Sequence, residues 1–177
     1  MVFDIPILET ARLKLRAHRL DDFGACVTIF TDPDVTQYLN GGKPMTREDI
    51  WGRLIRHVGH WAMLGYGIWA VEENATGAFL GGIGFLNAKR DIQPSLEGMP
   101  EMGWVLSREA HGKGYATEAV CAAITWGDEH FGKIRTCCII DPGNHASLRV
   151  AEKSGFRPWR DTTYKDSPTI VLVRDAT

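Results

Sequence analysis

No stretch of this chain approaches the roughly 18 consecutive apolar residues that a membrane-spanning helix needs, so no membrane span is expected. The amino terminus, Met1-Val2-Phe3-Asp4-Ile5-Pro6, has neither the basic region nor the small-residue cleavage site of a secretory signal. A cytoplasmic location is therefore the expectation. Cysteine is scarce: 4 in 177 residues, at Cys26, Cys121, Cys137 and Cys138, with no C-x-x-C spacing. That pattern reads as reduced, buried thiols rather than as a metal or disulfide framework. Adjacent Cys137 and Cys138 on a strand would point to opposite faces. An excess of basic charge is missing too. Lys+Arg 20 against Asp+Glu 22 leaves a net charge of −2, which argues against a nucleic-acid partner. His57 and His60 stand three apart on a helical pattern, but no neighbouring Cys or carboxylate completes a metal set. They read as surface histidines, and no metal is expected. Repeats, low-complexity tracts and linkers are absent as well. With 44% hydrophobic and 24% charged residues, residues 1–177 read as one globular domain.

What the chain does have is concentrated in residues 100–119, Pro-Glu-Met-Gly-Trp-Val-Leu-Ser-Arg-Glu-Ala-His-Gly-Lys-Gly-Tyr-Ala-Thr-Glu-Ala. Met102, Trp104 and Leu106 alternate as on a half-buried strand. Gly112 and Gly114 free the backbone for a tight turn and for close approach of another molecule. A helix follows, with apolar Ala119, Val120, Ala123, Ile124 and Gly127 at helical spacing. Unpaired amides and the macrodipole make a helix start of this kind an anion site, here for a phosphate-bearing cofactor. The sequence does not match G-x-x-x-x-G-K-[ST]. In G-x-G-x-x-G it has Thr117 where the last glycine belongs, so neither a triphosphate loop nor a dinucleotide fold is supported. On these six residues alone, an ordinary glycine turn between a strand and a helix remains an equal alternative.

Around this stretch the chain alternates strands and helices. Leu13-Lys14-Leu15-Arg16 predicts a first strand, and a helix begins at Leu20-Asp21-Asp22-Phe23 with acids in its first turn. Thr31-Asp32-Pro33-Asp34 ends it, and residues 40–44 form a loop. Thr46 caps a longer helix carrying Ile50, Trp51, Leu54, Ile55, Val58, Trp61 and Ala62. Residues 66–73 and 79–86 pair through a tight turn, with Gly81, Gly82 and Gly84 marking close packing or a bulge. Residues 88–98 read as a flexible polar connection. Residues 134–140 predict a strand, Asn144 caps a helix that Gly155 ends, and residues 169–173 predict a last strand. The fold class is α+β, a mixed α/β arrangement.

Five segments in this order resemble the GNAT acetyltransferases, and in particular the branch of the ribosomal-protein alanine and serine acetyltransferases. They are Glu9-Thr10-Ala11-Arg12-Leu13-Lys14-Leu15-Arg16 with Asp21-Asp22; Gly67-Ile68-Trp69-Ala70-Val71; and Glu101-Met102-Gly103-Trp104-Val105-Leu106. The fourth is Gly112-Lys113-Gly114-Tyr115-Ala116-Thr117-Glu118-Ala119, and the fifth runs from Asn144-His145-Ala146-Ser147 to Ser154-Gly155-Phe156. His111-Gly112-Lys113-Gly114-Tyr115-Ala116 fits the family's coenzyme-A turn, [QR]-x-x-G-x-[GA], except at its first position. The resemblance implies a mixed, mostly antiparallel sheet flanked by helices, in which the family's fourth and fifth strands splay apart. It implies that coenzyme A enters the splay, with its pantetheine arm along Val105 and Leu106 as an added strand. The pyrophosphate would then rest on the amides of Gly112, Lys113, Gly114, Tyr115, Ala116 and Thr117. Lys113 adds a charge there or is simply solvated; His111 contacts phosphate or fills space.

The resemblance implies an N-acetyltransferase moving an acetyl group from acetyl-CoA to a primary amine, of a protein N-terminus or a small molecule, through a tetrahedral intermediate. Glu101 is the expected base. Glu118 is read as structural or electrostatic. The tyrosine that many members use as acid falls on Ala151, and Ser147 takes that role or only supports its helix start. Asn144 caps its helix and reaches the pantetheine arm. Trp69 and Trp104 belong to the core or wall the acceptor groove. The alternative reading is a non-catalytic acyl-CoA sensor on the same fold. Partners are an amine acceptor, with no nucleic acid and no membrane, and the chain is a monomer or homodimer.

Overall fold

The structure, a computed structural model, describes residues 4–176 and leaves out the side chain of Asn40. Met1, Val2 and Phe3, part of the amino-terminal stretch considered above, lie outside the described residues, as does Thr177. The elements run β1 (Leu8–Glu9), β2 (Leu13–Arg16), α1 (Asp22–Thr31), α2 (Pro33–Thr36), α3 (Arg47–Leu64), β3 (Ile68–Glu73) and β4 (Phe79–Leu86). They continue with β5 (Glu101–Leu106), α4 (Tyr115–Phe131), β6 (Thr136–Ile140), α5 (His145–Lys153), β7 (Arg157–Tyr164) and β8 (Ser167–Arg174). Among the described residues no helix is long and apolar enough to cross a membrane.

The strands form one sheet in the order β1-β2-β3-β4-β5-β6-β8-β7. Neighbours are antiparallel except β5 and β6, which run parallel and pair only at Glu101↔Cys137. Beyond that point the two strands diverge. The expected splay is present, and it opens between these two strands.

Strand alternation assigns the two faces. Leu13, Leu15, Trp69, Val71, Ile83, Phe85, Met102 and Leu106 join Ala119, Val120 and Ala123 of α4 in the main core. Gly127 of α4 lies against Phe85, with no room for a Cβ between them. The opposite face carries Phe79 and Val105, which pack on a second cluster of Cys26, Ile29, Phe30, Val35, Ile50 and Leu54 from α1–α3. Gly81 and Gly84 hold positive φ, and a Cβ at either would strike the backbone of Val105 or Gly67. That explains the glycine-rich strand: β4 is pressed between its neighbours.

Local signals worked where one residue decides. Thr46 Oγ1 accepts from the Asp49 amide at 3.1 Å, and Asn144 Oδ1 accepts from the Ser147 amide at 3.1 Å. Gly155 has φ 90. The sequence reading missed β1 and β7. Strand β7 is largely exposed, and the β7–β8 turn uses Lys165 and Asp166 at positive φ instead of glycine, so neither hydrophobic period nor turn chemistry announced it. The connection at residues 88–98 is not the free polar loop expected. Ile92 is buried, Thr162 donates to the Gln93 carbonyl, and Arg90 is anchored to Glu101. Cys137 and Cys138 are both fully buried, because the central strand β6 is covered on both faces, whereas Cys121 is exposed.

Candidate active site

The open edge of β5 is defined by one hydrogen bond. The Ser107 amide donates to the Leu80 carbonyl at 2.7 Å, in a register that sets Val105 opposite Gly82. Alternation then turns the backbone groups of Gly103 and Val105 toward β4 and those of Trp104 and Leu106 toward the splay. Of the two expected strand positions, Leu106 turns its backbone to the splay, while the Val105 backbone is committed to the β4 ladder and that of Trp104 faces the splay instead.

His111 has a role that neither expectation described. Its Nε2 lies 3.0 Å from the Leu106 carbonyl oxygen, so the ring donates there and ties the start of the glycine turn to the end of β5. Past it, Gly112 and Gly114 hold φ 73 and 79, a region that favours glycine. Among the described residues, the amides of Gly112, Lys113, Gly114, Tyr115, Ala116 and Thr117 donate to no protein acceptor. The first intrahelical bond of α4 is from the Glu118 amide to the Gly114 carbonyl. The loop is braced from behind. Arg12 donates to the Lys113 carbonyl and to Glu118, and Thr10 donates to Glu118 at 2.6 Å. Burial pushes the Glu118 carboxyl up, but the bonds from Thr10 and Arg12 outweigh it and hold it below its ordinary range. Tyr115 donates to Glu73 at 2.6 Å. Lys113 is exposed, with its ammonium 6.0 Å from the Tyr115 ring.

The splay leads into a cleft of about 1100 Å³ between β5, β6, α3 and the start of α5. Glu101, Trp104, Asn144 and Ser147 line it together. Trp69 is fully buried on the α4 face and does not. Ser147 is half-buried, and its amide, not its hydroxyl, is what Asn144 caps. Ala151 is fully buried at the position of the missing tyrosine.

Glu101 is not a solvated strand end. It is buried, and both carboxylate oxygens accept from Arg90, at 2.6 and 2.7 Å. Arg90 also donates to the Tyr164 hydroxyl at 3.1 Å. Burial pushes the Arg90 guanidinium down, but its bonds to Glu101 and Tyr164 outweigh that and raise it. The pair also lines a second cavity of about 910 Å³, under the 87–99 connection.

The α3 wall of the cleft holds residues that sequence reasoning did not place. His57 is no surface histidine: its Nδ1 lies 3.3 Å from Nε2 of His18, whose side chain is 3% exposed. Burial, with Arg16 and Arg53 assisting and Asp22 opposing, lowers His18 to about 4; burial and Arg53 push His57 well down. Both rings are neutral at pH 7, and His18 is too weakly basic there to take a proton from an ammonium. Behind them, Arg16 donates to Asp22 at 2.8 and 2.9 Å and to Glu72 at 2.6 Å. Burial pushes the Asp22 carboxyl up, but Arg16 and the Arg19 amide win and hold it low. Arg53 and Arg56 complete this wall. A face of α3 with basic residues at 53, 56, 57 and 60 was the one available sign.

A sheet splayed at its single parallel junction, an open strand edge and a braced run of unpaired amides define a class of protein, the acetyltransferases. Residues 12–157 match the acetyltransferase (GNAT) domain family, and the chain belongs to that family. Among its relatives, Bacillus subtilis (strain 168) YkkB is 36% identical over 175 residues, covering 94% of each chain. A GNAT-family acetyltransferase of Bordetella pertussis superposes with a TM-score of 0.83 at 27% identity, over 96% of this chain and 99% of that one. RimL, the ribosomal L7/L12 α-N-protein acetyltransferase solved with coenzyme A, shares the fold. It has a TM-score of 0.77 and 16% identity, with 96% and 98% of the chains covered.

Proposed function

We propose that this enzyme is an acetyl-CoA-dependent N-acetyltransferase acting on a primary amine. One observation carries the reading. A single backbone track runs from the cleft along the Trp104 and Leu106 amides to the six unpaired amides of residues 112–117. That track matches an extended amide-bearing arm ending in a pyrophosphate. Gly112 has open space where a Cβ would be, so the backbone can meet phosphate oxygens directly.

Acetyl-CoA is the donor substrate and supplies a thioester carbonyl. The amine nitrogen forms the new C–N bond to that carbon, and the C–S bond then breaks. The Leu106 or Trp104 amide receives the negative charge that develops on the carbonyl oxygen. The amine must first lose a proton. With an ordinary α-amino pKa of roughly 7.7–8.0, a modest base suffices. Glu101 takes this proton through water, since Arg90 already occupies both of its oxygens. The leaving thiolate, of ordinary pKa near ~8.5, gains a proton from the Ser147 hydroxyl or from water. Asn144 fixes the first turn of α5 so that Ser147 faces the cleft.

Two measurements test the reading. Calorimetry should show coenzyme-A binding, and a thiol-release screen across amines should show turnover; binding with no turnover on any amine would favour a sensor. Glu101→Gln should lower the rate by about 10²-fold near pH 7, with less loss toward pH 9 and unchanged acetyl-CoA affinity. An equal loss at every pH would reduce Glu101 to a holder of Arg90, and an unchanged rate would remove it altogether.

A further inference from the structure

Arg53 stands in the cleft wall with no anion to match it. Its guanidinium lies on the Phe30 ring, 4.6 Å from the centroid, and its Nε is buried without a hydrogen-bond partner. Other arginines withdrawn from solvent are matched: buried Arg16 by Asp22 and Glu72, part-buried Arg90 by Glu101, and part-buried Arg174 by Asp128. Among the described residues no carboxylate forms an ion pair with Arg53.

Its neighbours do not supply the missing charge. From α1 comes the Cys26 thiol, pushed up to about 11 by burial and therefore neutral. On α3, Arg56 repels it, and the His57 ring is neutral. From the 88–98 connection Arg90 repels it too, while Glu101 is fully engaged by Arg90. Asp141, farther along the cleft, holds the Gly143 amide at 2.8 Å. Burial, Arg56 and Arg90 together lower Arg53 to about 10, so it stays protonated at neutral pH. A part-buried cation with its Nε out of water and no counter-charge is unfavourable, and an incoming anion relieves it. A guanidinium is also the side chain best shaped for a carboxylate, which it meets with two parallel hydrogen bonds.

We propose that the acceptor is a small amine that also bears a carboxylate, and that Arg53 receives the carboxylate while the amine faces Glu101 and the open edge of β5. The inference rests on the acetyltransferase reading and narrows it to amino-acid-like substrates. It places Arg53 as a specificity-determining residue and sets polycationic amines against the cleft.

The test uses the full chain with acetyl-CoA. Thiol release and calorimetric binding are followed for the free amino acids, for their C-terminal amides, for 2-aminoethyl phosphate and for kanamycin. At least one free acid should exceed its amide in kcat/KM by about tenfold or more. Arg53→Met should bring that ratio to about one by raising the acceptor KM, with the acetyl-CoA KM and the melting temperature held. Arg53→Lys should retain part of the preference, which a merely structural role would not produce. The proposal is overturned if the amides serve as well as the acids, or if Arg53→Met keeps the preference. It is equally overturned if kanamycin or the phosphate is the best acceptor, or if no free acid is bound or turned over. Coenzyme-A calorimetry separates the two failures: lost coenzyme-A binding sinks the acetyltransferase reading, whereas binding without any acid acceptor sinks this one alone.

Discussion

The two ends of the proposed site are made of different material. The donor end, from Leu106 to Thr117, is backbone: unpaired amides, two glycines at positive φ, and a brace of Thr10, Arg12 and Glu118 behind. The acceptor end is side chain: Arg53 and His57 from α3, His18 from beyond β2, Arg90 and Glu101 from either end of a connection, Ser147 from α5. Backbone recognition asks only that a loop take one shape, so it tolerates changes in side chains. Side-chain recognition depends on charges held out of water by matched partners, and it fails when one partner goes. The donor end should therefore be sensitive to shape and the acceptor end to charge.

The largest effect should come from the charge network behind the acceptor end. Asp22→Ala leaves Arg16 buried with only Glu72, and should cost about 3–5 kcal/mol in denaturant unfolding. A cost below about 1 kcal/mol would show that the network carries no such load. Next is acid sensitivity. His18 is neutral in the folded protein down to about 4, while the unfolded chain protonates it from about 6.5. Its contribution is thus fully present above about pH 6.5 and is lost as pH falls toward 4, by roughly 3 kcal/mol. His57 adds to it in the same direction. Unfolding free energies measured from pH 7 to 4 should fall accordingly, and His18→Asn should flatten that fall. An unflattened curve would place the sensitivity elsewhere.

At the donor end, Gly114→Trp forces a bulky residue to φ 79 beside Arg12. Coenzyme-A affinity should drop by about 100-fold or more, with the fold retained, because a shaped anion loop is lost but no charge is buried. Normal affinity would refute the loop assignment. The smallest effect is expected from Ser147→Ala, about tenfold in kcat with KM unchanged, since water can also protonate a thiolate. No change in kcat would leave protonation to water alone.

This contrast also explains what could be read in advance. Gly112, Gly114, Thr46, Asn144 and Gly155 each decide a local conformation, so the turns and caps they imply are present. The main strands and helices followed from apolar period. The strand end at Leu106 and the glycine turn after it were legible because one continuous stretch spells them out. Arg53, His18 and Arg90 could not. Each is an ordinary polar residue in its own segment and acquires meaning only against other segments: His18 against His57, Arg90 against Glu101 and Tyr164, Arg53 against Phe30. His57 shows the cost of local reasoning: on α3 alone it resembles a solvated histidine, and only His18 from another segment draws it partly out of solvent. Val105 shows a finer failure. Its strand was recognised, but the direction of its amide depends on a register with β4 that a single strand does not encode.

The single pairing at Glu101↔Cys137 has a mechanical consequence. The sheet is in effect two ribbons, β1–β5 and β6-β8-β7, stitched at one end and unzipped at the other. On the proposed binding mode, a coenzyme-A arm laid along Leu106 would act as a splint across that seam, and the rigidity of the whole sheet would become a property of the loaded enzyme. Hydrogen exchange should register this: adding coenzyme A should slow the amides of β6 along with those of β5, although β6 contributes nothing to the glycine loop.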